Sequence, residues 1–165
     1  MVAWTRCRCG RYAALLTALV LSGVRCGDAL RWNDSIILVV SYDLVLTTGG
    51  RLLYATPTAV NTGDLPLVGS TGGCAWEFSA YRDPQRAGTP AWSQDFEHSV
   101  CTSIEIGIDI PPRGSQKFPP SIIPYAEIFD SSGPGTYYFA ARLRGGPGGW
   151  WTDRLPAGSY EILPP

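Results

Sequence analysis

The sequence predicts an all-β protein: one antiparallel β-sandwich of about seven strands, preceded by a short helical leader. Three observations carry this. Apolar residues recur with period two in several short runs. Glycine and proline, 19 and 14 of the 165 residues, punctuate those runs. Only two stretches, one of them the leader, have the character of a helix.

The leader comes first. Arg6, Arg8 and Arg11 form a basic cluster, and Tyr12 to Gly23 is an apolar stretch of about a dozen residues, too short to span a bilayer. That is the anatomy of a cleaved secretory signal, so residues 1–29 are expected to be a signal peptide and 30–165 the β-sandwich domain. Gly27-Asp28-Ala29 offers the small residues that a signal peptidase reads. The alternative is lipidation at Cys26, with a leader of residues 1–25, although Arg25 stands where that signal calls for a small residue. Either route exports the protein to the periplasm, the cell surface or the medium, and only a lipid anchor would tie it to a membrane.

From Leu30 onward nine Lys/Arg face thirteen Asp/Glu, so the domain carries a charge near −4 where the whole chain carries −1. The acids are dispersed and Lys117 is the only lysine. Nucleic-acid binding calls for clustered Lys and Arg, which this domain lacks.

The strands follow in order. Asn33 to Leu46 holds the apolar run Ile36 to Val40, then alternation through Tyr42, Leu44 and Leu46. Gly49-Gly50 turns the chain into a second strand over Leu52 to Val60, and Asn61-Thr62-Gly63-Asp64 is turn chemistry. Cys74, Trp76, Phe78 and Ala80 share one face, with Glu77, Ser79 and Tyr81 on an expected wet face. Ile104, Ile106, Ile108 and Ile110 alternate with polar residues and glycine, and Tyr137, Phe139, Ala141 and Leu143 form a third such set. Ser159 to Leu163 closes the series, and Pro124 to Phe129 is the second helical stretch.

Three of the five cysteines, Cys7, Cys9 and Cys26, belong to the leader or its edge. Cys74 and Cys101 remain, and in an oxidising compartment such a pair is expected to form a disulfide worth about 3–4 kcal/mol. The other arrangement, a metal site of Cys101 with His98 and Asp95, has the spacing of no common zinc motif.

The residues point to no catalytic site. His98 is the only histidine and no Gly-x-Ser-x-Gly elbow occurs. Glu105 and Asp109 would lie about 13 Å apart along a strand, too far for a glycosidase pair. Asp95 and Glu97 do not form a calcium loop. Gly145 to Gly149 is rich in glycine, but no lysine follows it as phosphate cradling requires. No catalytic, metal or cofactor residue is assigned. The candidate contact residues are Trp92, Trp150 and Trp151, as aromatic anchors for a protein or carbohydrate, or else as packing.

Gly135-Thr136-Tyr137 is placed like the tyrosine corner of immunoglobulin-like sandwiches, where a Tyr near the start of a strand bonds back across the preceding corner. The order of elements goes further: Asn61-Thr62-Gly63-Asp64, the aromatic run Trp76 to Tyr81, and Pro90-Ala91-Trp92-Ser93. Ile104 to Ile110 then leads into Pro112-Arg113-Gly114-Ser115, and Pro134-Gly135-Thr136-Tyr137-Tyr138-Phe139 completes the set. Over about two-thirds of the mature chain this resembles the bacterial intracellular proteinase inhibitor (BsuPI-like) family. The resemblance implies an immunoglobulin-like fold and, as a function, proteinase inhibition. The export signal and the Cys74/Cys101 pair depart from that cytoplasmic family.

The expected function is therefore an exported, non-catalytic module that binds a protein or cell-surface component through its long loops, Asp83 to Ser99 and Pro111 to Pro124. The alternatives are a proteinase inhibitor acting through a loop such as Arg82 to Ala91, a carbohydrate-binding module using exposed tryptophans, and a hydrolase using His98.

Overall fold

A computed structural model describes residues 32, 34–94, 104–145 and 152–164. Among them the order is β1 (Ile36–Thr47), β2 (Gly50–Asn61), β3 (Leu67–Thr71), β4 (Trp76–Tyr81), β5 (Trp92–Ser93), β6 (Ile106–Ile110), β7 (Ser115–Lys117), β8 (Ser121–Pro124), α1 (Tyr125–Ser132), β9 (Gly135–Leu143) and β10 (Leu155–Ile162). The protein is all-β with antiparallel sheets. The expected signal peptide lies outside the described residues.

Two four-stranded sheets form the body. In one, β2 pairs with β1 on one side and with both β7 and β8 on the other. The other has the order β10-β9-β4-β5. A two-stranded ladder of β3 and β6 completes the set. It joins the first sheet through Gln116, whose side-chain amide donates to Gly107 O at 2.8 Å and accepts from Asp109 N at 3.1 Å.

The sheets are held by the alternation expected of strands with one face inward. Leu53, Ala55, Pro57, Ala59 and Asn61 of β2 point into the core, and the residues between them are half-buried. Tyr137, Phe139, Ala141 and Leu143 of β9 are fully buried. Trp76 meets Phe118 edge-on at 5.5 Å between ring centroids, and Tyr42 of β1 packs on Phe139 and Tyr160. Phe118 sits in the break between β7 and β8, two short strands lying along β2 in the place of one long one.

Several elements differ from the expectation for physical reasons. Among the described residues there are ten strands where about seven were expected, because β7 and β8 are separated by Phe118-Pro119-Pro120 and β5 is a two-residue ladder. β10 begins at Leu155, ahead of Ser159, and takes in a bulge. Ile104 precedes β6 and is exposed, so only Ile108 and Ile110 of that row are deeply buried. α1 runs on to Ser132, and Gly133, at φ 75°, ends it with its N–H on Phe129 O.

The largest departure is β4, which is buried on both faces from Trp76 to Tyr81. It is an inner strand between β9 and β5, and its second face is covered by polar partners rather than water. Glu77 lies opposite Arg142 on β9, which grips it with two bonds of 2.9 and 3.0 Å, and Arg154 adds a third at 3.3 Å. A buried carboxylate is tolerated when it is paired and hydrogen-bonded in this way.

Asn61, fully buried, ties three segments together. Its Nδ2 donates to Leu65 O, Ile110 O and Pro111 O at 2.8, 3.0 and 3.1 Å, while its Oδ1 accepts from Gly63 N at 2.9 Å. Asn61→Ala strands these groups without partners and is expected to cost about 3 kcal/mol, read as a lowered denaturant midpoint at constant m. Thr71 Oγ1 is buried with no hydrogen-bond partner. Thr71→Val is accordingly expected to leave the midpoint unchanged or raise it.

Candidate functional site

Of the residues the sequence singles out, the structure describes Cys74, Trp92 and the exposed pair Glu105 and Asp109. Cys74 is half-buried just ahead of β4 and takes part in a disulfide. Cys26, Cys101, His98, Asp95, Glu97, Trp150 and Trp151 lie outside the described residues. Trp92, on β5, is half-buried against the core, and its Nε1 donates to Glu127 Oε2 of α1 at 3.1 Å. It therefore works as a tether between β5 and the helix, with only part of its ring open to solvent.

What Trp92 tethers is one foot of the loop between β4 and β5, the Arg82–Ala91 segment singled out from sequence. The other foot is Arg82. Its guanidinium lies over the ring of Tyr137, 4.1 Å from the centroid, and donates to the carbonyls of Ser132, Gly133 and Pro134. Ser132 ends α1 and Gly133 caps it, so two of these carbonyls are ones the helix end leaves without helical partners, and a cation there also complements the helix dipole. Tyr137 Oη donates to Gly133 O at 2.6 Å from the same pocket. Gly135 has to be glycine: its φ is 129°, and a Cβ there would lie 2.5 Å from an Arg82 nitrogen.

Inside the loop, Asp83 builds a tight turn. Its carboxylate accepts from Gln85 N and its carbonyl from Arg86 N, both at 2.9 Å. The turn leaves Arg86 with φ 58° and sends its side chain back over the sheet. Arg86 Nε donates to Phe139 O at 2.7 Å and its Nη2 to Gly158 O at 3.3 Å. The reason lies in β10. Its register with β9 shifts between Pro156 and Ser159, with Gly158 at φ 84°, so two residues, Ala157 and Gly158, lie across from the single Phe139. Arg86 bonds both strands where the ladder is disrupted.

The loop is thus pinned at its centre and both feet, and Ala91 N closes its base on Ala80 O at 2.8 Å. Its crest, Pro84, Gln85, Ala87, Gly88 and Thr89, is exposed and uncharged. Sequence reasoning placed the loop but missed its anchors. Arg82 and Arg86 look like ordinary surface arginines until β9 and β10 are brought beside them.

Next to this scaffold the tyrosines are shifted. Burial pushes the phenol of Tyr42 far above its ordinary value against the opposing pull of Arg86, and Tyr42 Oη donates to Ala157 O at 2.6 Å. Burial raises Tyr137 against Arg82, and raises Tyr160 together with Tyr125 and Asp43. Among the described residues no group of three or more His, Cys, Asp or Glu is arranged to hold a metal ion, and no helix is long and apolar enough to cross a membrane.

The fold and the pinned loop together define a two-sheet β domain that presents a rigid, uncharged crest. The chain matches no protein-family model, and no curated protein is significantly similar to it.

Two outcomes follow. Arg86→Met removes the bonds to Phe139 O and Gly158 O and is expected to cost about 2 kcal/mol by denaturant unfolding, with faster amide exchange in the loop. Tyrosines whose folded pKa is raised contribute stability that is complete below their unfolded value of 10.0 and is lost as pH rises through the folded values. Reversible unfolding is therefore expected to show a flat stability just below pH 10.0 and a fall above it.

Proposed function

We propose that this chain is an exported, immunoglobulin-like, non-catalytic binding module, and that the Arg82–Ala91 loop makes the contact with a protein or cell-surface partner. The observation that carries this is the anchoring of the loop by Arg82, Arg86 and Trp92. A loop ordered before binding loses little entropy when it docks, which favours affinity. Three sets of side-chain bonds are more than a mere connection between strands needs.

The immunoglobulin-like reading is supported by the sheet orders β1-β2-β7/β8 and β10-β9-β4-β5, and by Tyr137. That residue stands third in β9 and bonds the backbone four residues upstream. Export accords with the leader and with a disulfide at Cys74, for which Cys101 is the proposed partner. Non-reducing peptide mapping tests that pairing, and a free Cys101 thiol refutes it.

Proteinase inhibition is the second reading. A loop held in a protease cleft like a substrate runs extended, whereas Arg86 and Gly88 have φ of 58° and 78° and turn this one sharply. The geometry therefore favours a contact surface over a substrate mimic.

The test replaces Pro84–Thr89 with Gly and Ser while keeping Arg86. Saturable binding of the labelled protein to the surface of its own cells is expected for the native loop and lost in the replacement, with unfolding midpoints alike. Equal binding by both proteins contradicts the proposal. A panel of secreted serine and metalloproteinases serves the second reading, which fails if micromolar protein inhibits none of them.

A further inference from the structure

The edges of the sheets are unequal in a way that bears on self-association. An edge strand exposes a row of unpaired N–H and C=O groups, and proteins guard such rows with proline, lysine, bulges or shortness. β10 carries Pro156, a bulge and Glu161. β5 has two residues, and β3 has five with Gly69 among them. β7 and β8 are short, broken by Pro119-Pro120, and Gln116 covers part of their outer side.

β1 has none of these devices. It is twelve residues long and contains no proline, lysine, arginine or bulge, its register with β2 running unbroken from Ile36↔Asn61 to Thr47↔Gly50. β10 reaches β1 at Tyr42, through the bond to Ala157 O and the ring contact with Tyr160. Upstream of that contact, Ile37 and Val39 stand 52% and 56% exposed on the outer face.

We propose that the Ile36–Val40 edge of β1 pairs with the same edge of a second copy, antiparallel and centred on Leu38. Another extended strand satisfies such a row of backbone donors and acceptors along its length, and among the described residues none other than β2 pairs with β1. The strand is complementary to itself. A two-fold centred on Leu38 sets Ile37 of each copy opposite Val39 of the other and Ile36 opposite Val40, so apolar residues meet apolar residues on both faces. The one charge of β1, Asp43, falls beyond the paired segment, and the two carboxylates stay apart. Pairing at Asp43 itself would bring like charges face to face, which fixes the register upstream. The joined sheets would run continuously through both molecules.

So short an edge gives a weak dimer, with a dissociation constant on the order of 100 µM. Sedimentation equilibrium of the purified protein is expected to show a monomer–dimer equilibrium over that range. Val39→Lys, on an exposed position, is expected to raise the dissociation constant at least about 10-fold. Val68→Lys on β3, exposed to 63%, leaves it unchanged. Hydrogen exchange supplies the local readout: β1 amides slow with concentration in the native protein and not in Val39→Lys, while the unfolding midpoints match. A monomer up to about 1 mM overturns the proposal. So does a dimer that Val39→Lys leaves intact, or one that Val68→Lys weakens equally. Because the loop replacement does not touch β1, the two proposals fail separately.

Discussion

The hydroxyl of Tyr137 is buried beneath Arg82 and donates to the carbonyl of Gly133, and much of one end of the molecule hangs from that contact. Tyr137 is the first fully buried residue of β9. Gly133 ends α1, and Arg82 is the first residue after β4. A single cluster thus fixes where the helix stops, how β9 enters its sheet, and where the β4–β5 loop departs. A buried hydroxyl without a partner is costly, as is a helix end whose carbonyls are covered but unbonded. Arg82 and Tyr137 answer both demands together.

The loop inherits its rigidity from this corner and from a second defect, the bulge of β10. The bulge disrupts the ladder between β9 and β10, and Arg86 bonds a carbonyl of each strand at that point. The positive φ of Arg86 is stable because three hydrogen bonds hold the side chain that requires it. Sheet irregularity and loop order are one feature seen from two sides. The binding function we propose follows from that order: the crest is presented by a scaffold, and docking need not freeze it.

Much of the fold could be read from the residues alone, and the reasons are local. Tyr137, Phe139, Ala141 and Leu143 alternate cleanly because β9 carries its buried face in its own sequence. Asn61 was legible as a turn residue, although its bonds to Ile110 and Pro111 depend on residues 49 and 50 positions away. Glu77 was misread for the same reason. Its two arginines lie 65 and 77 residues downstream, and without them a carboxylate on a strand belongs in water. The anchors of the loop were invisible on the same ground: Arg86 answers a carbonyl 53 residues away. Periodicity reports burial, whereas polar pairing across distant strands leaves no periodic trace.

Arg82 and Tyr137 act as one unit. A double-mutant cycle of Arg82→Met and Tyr137→Phe, measured by denaturant unfolding, tests it most directly. Shared acceptance by Gly133 O and the stacked guanidinium predict a coupling of about 1 kcal/mol or more between the two sites. Additive losses, with a coupling near zero, would show instead that the two residues hold the corner independently.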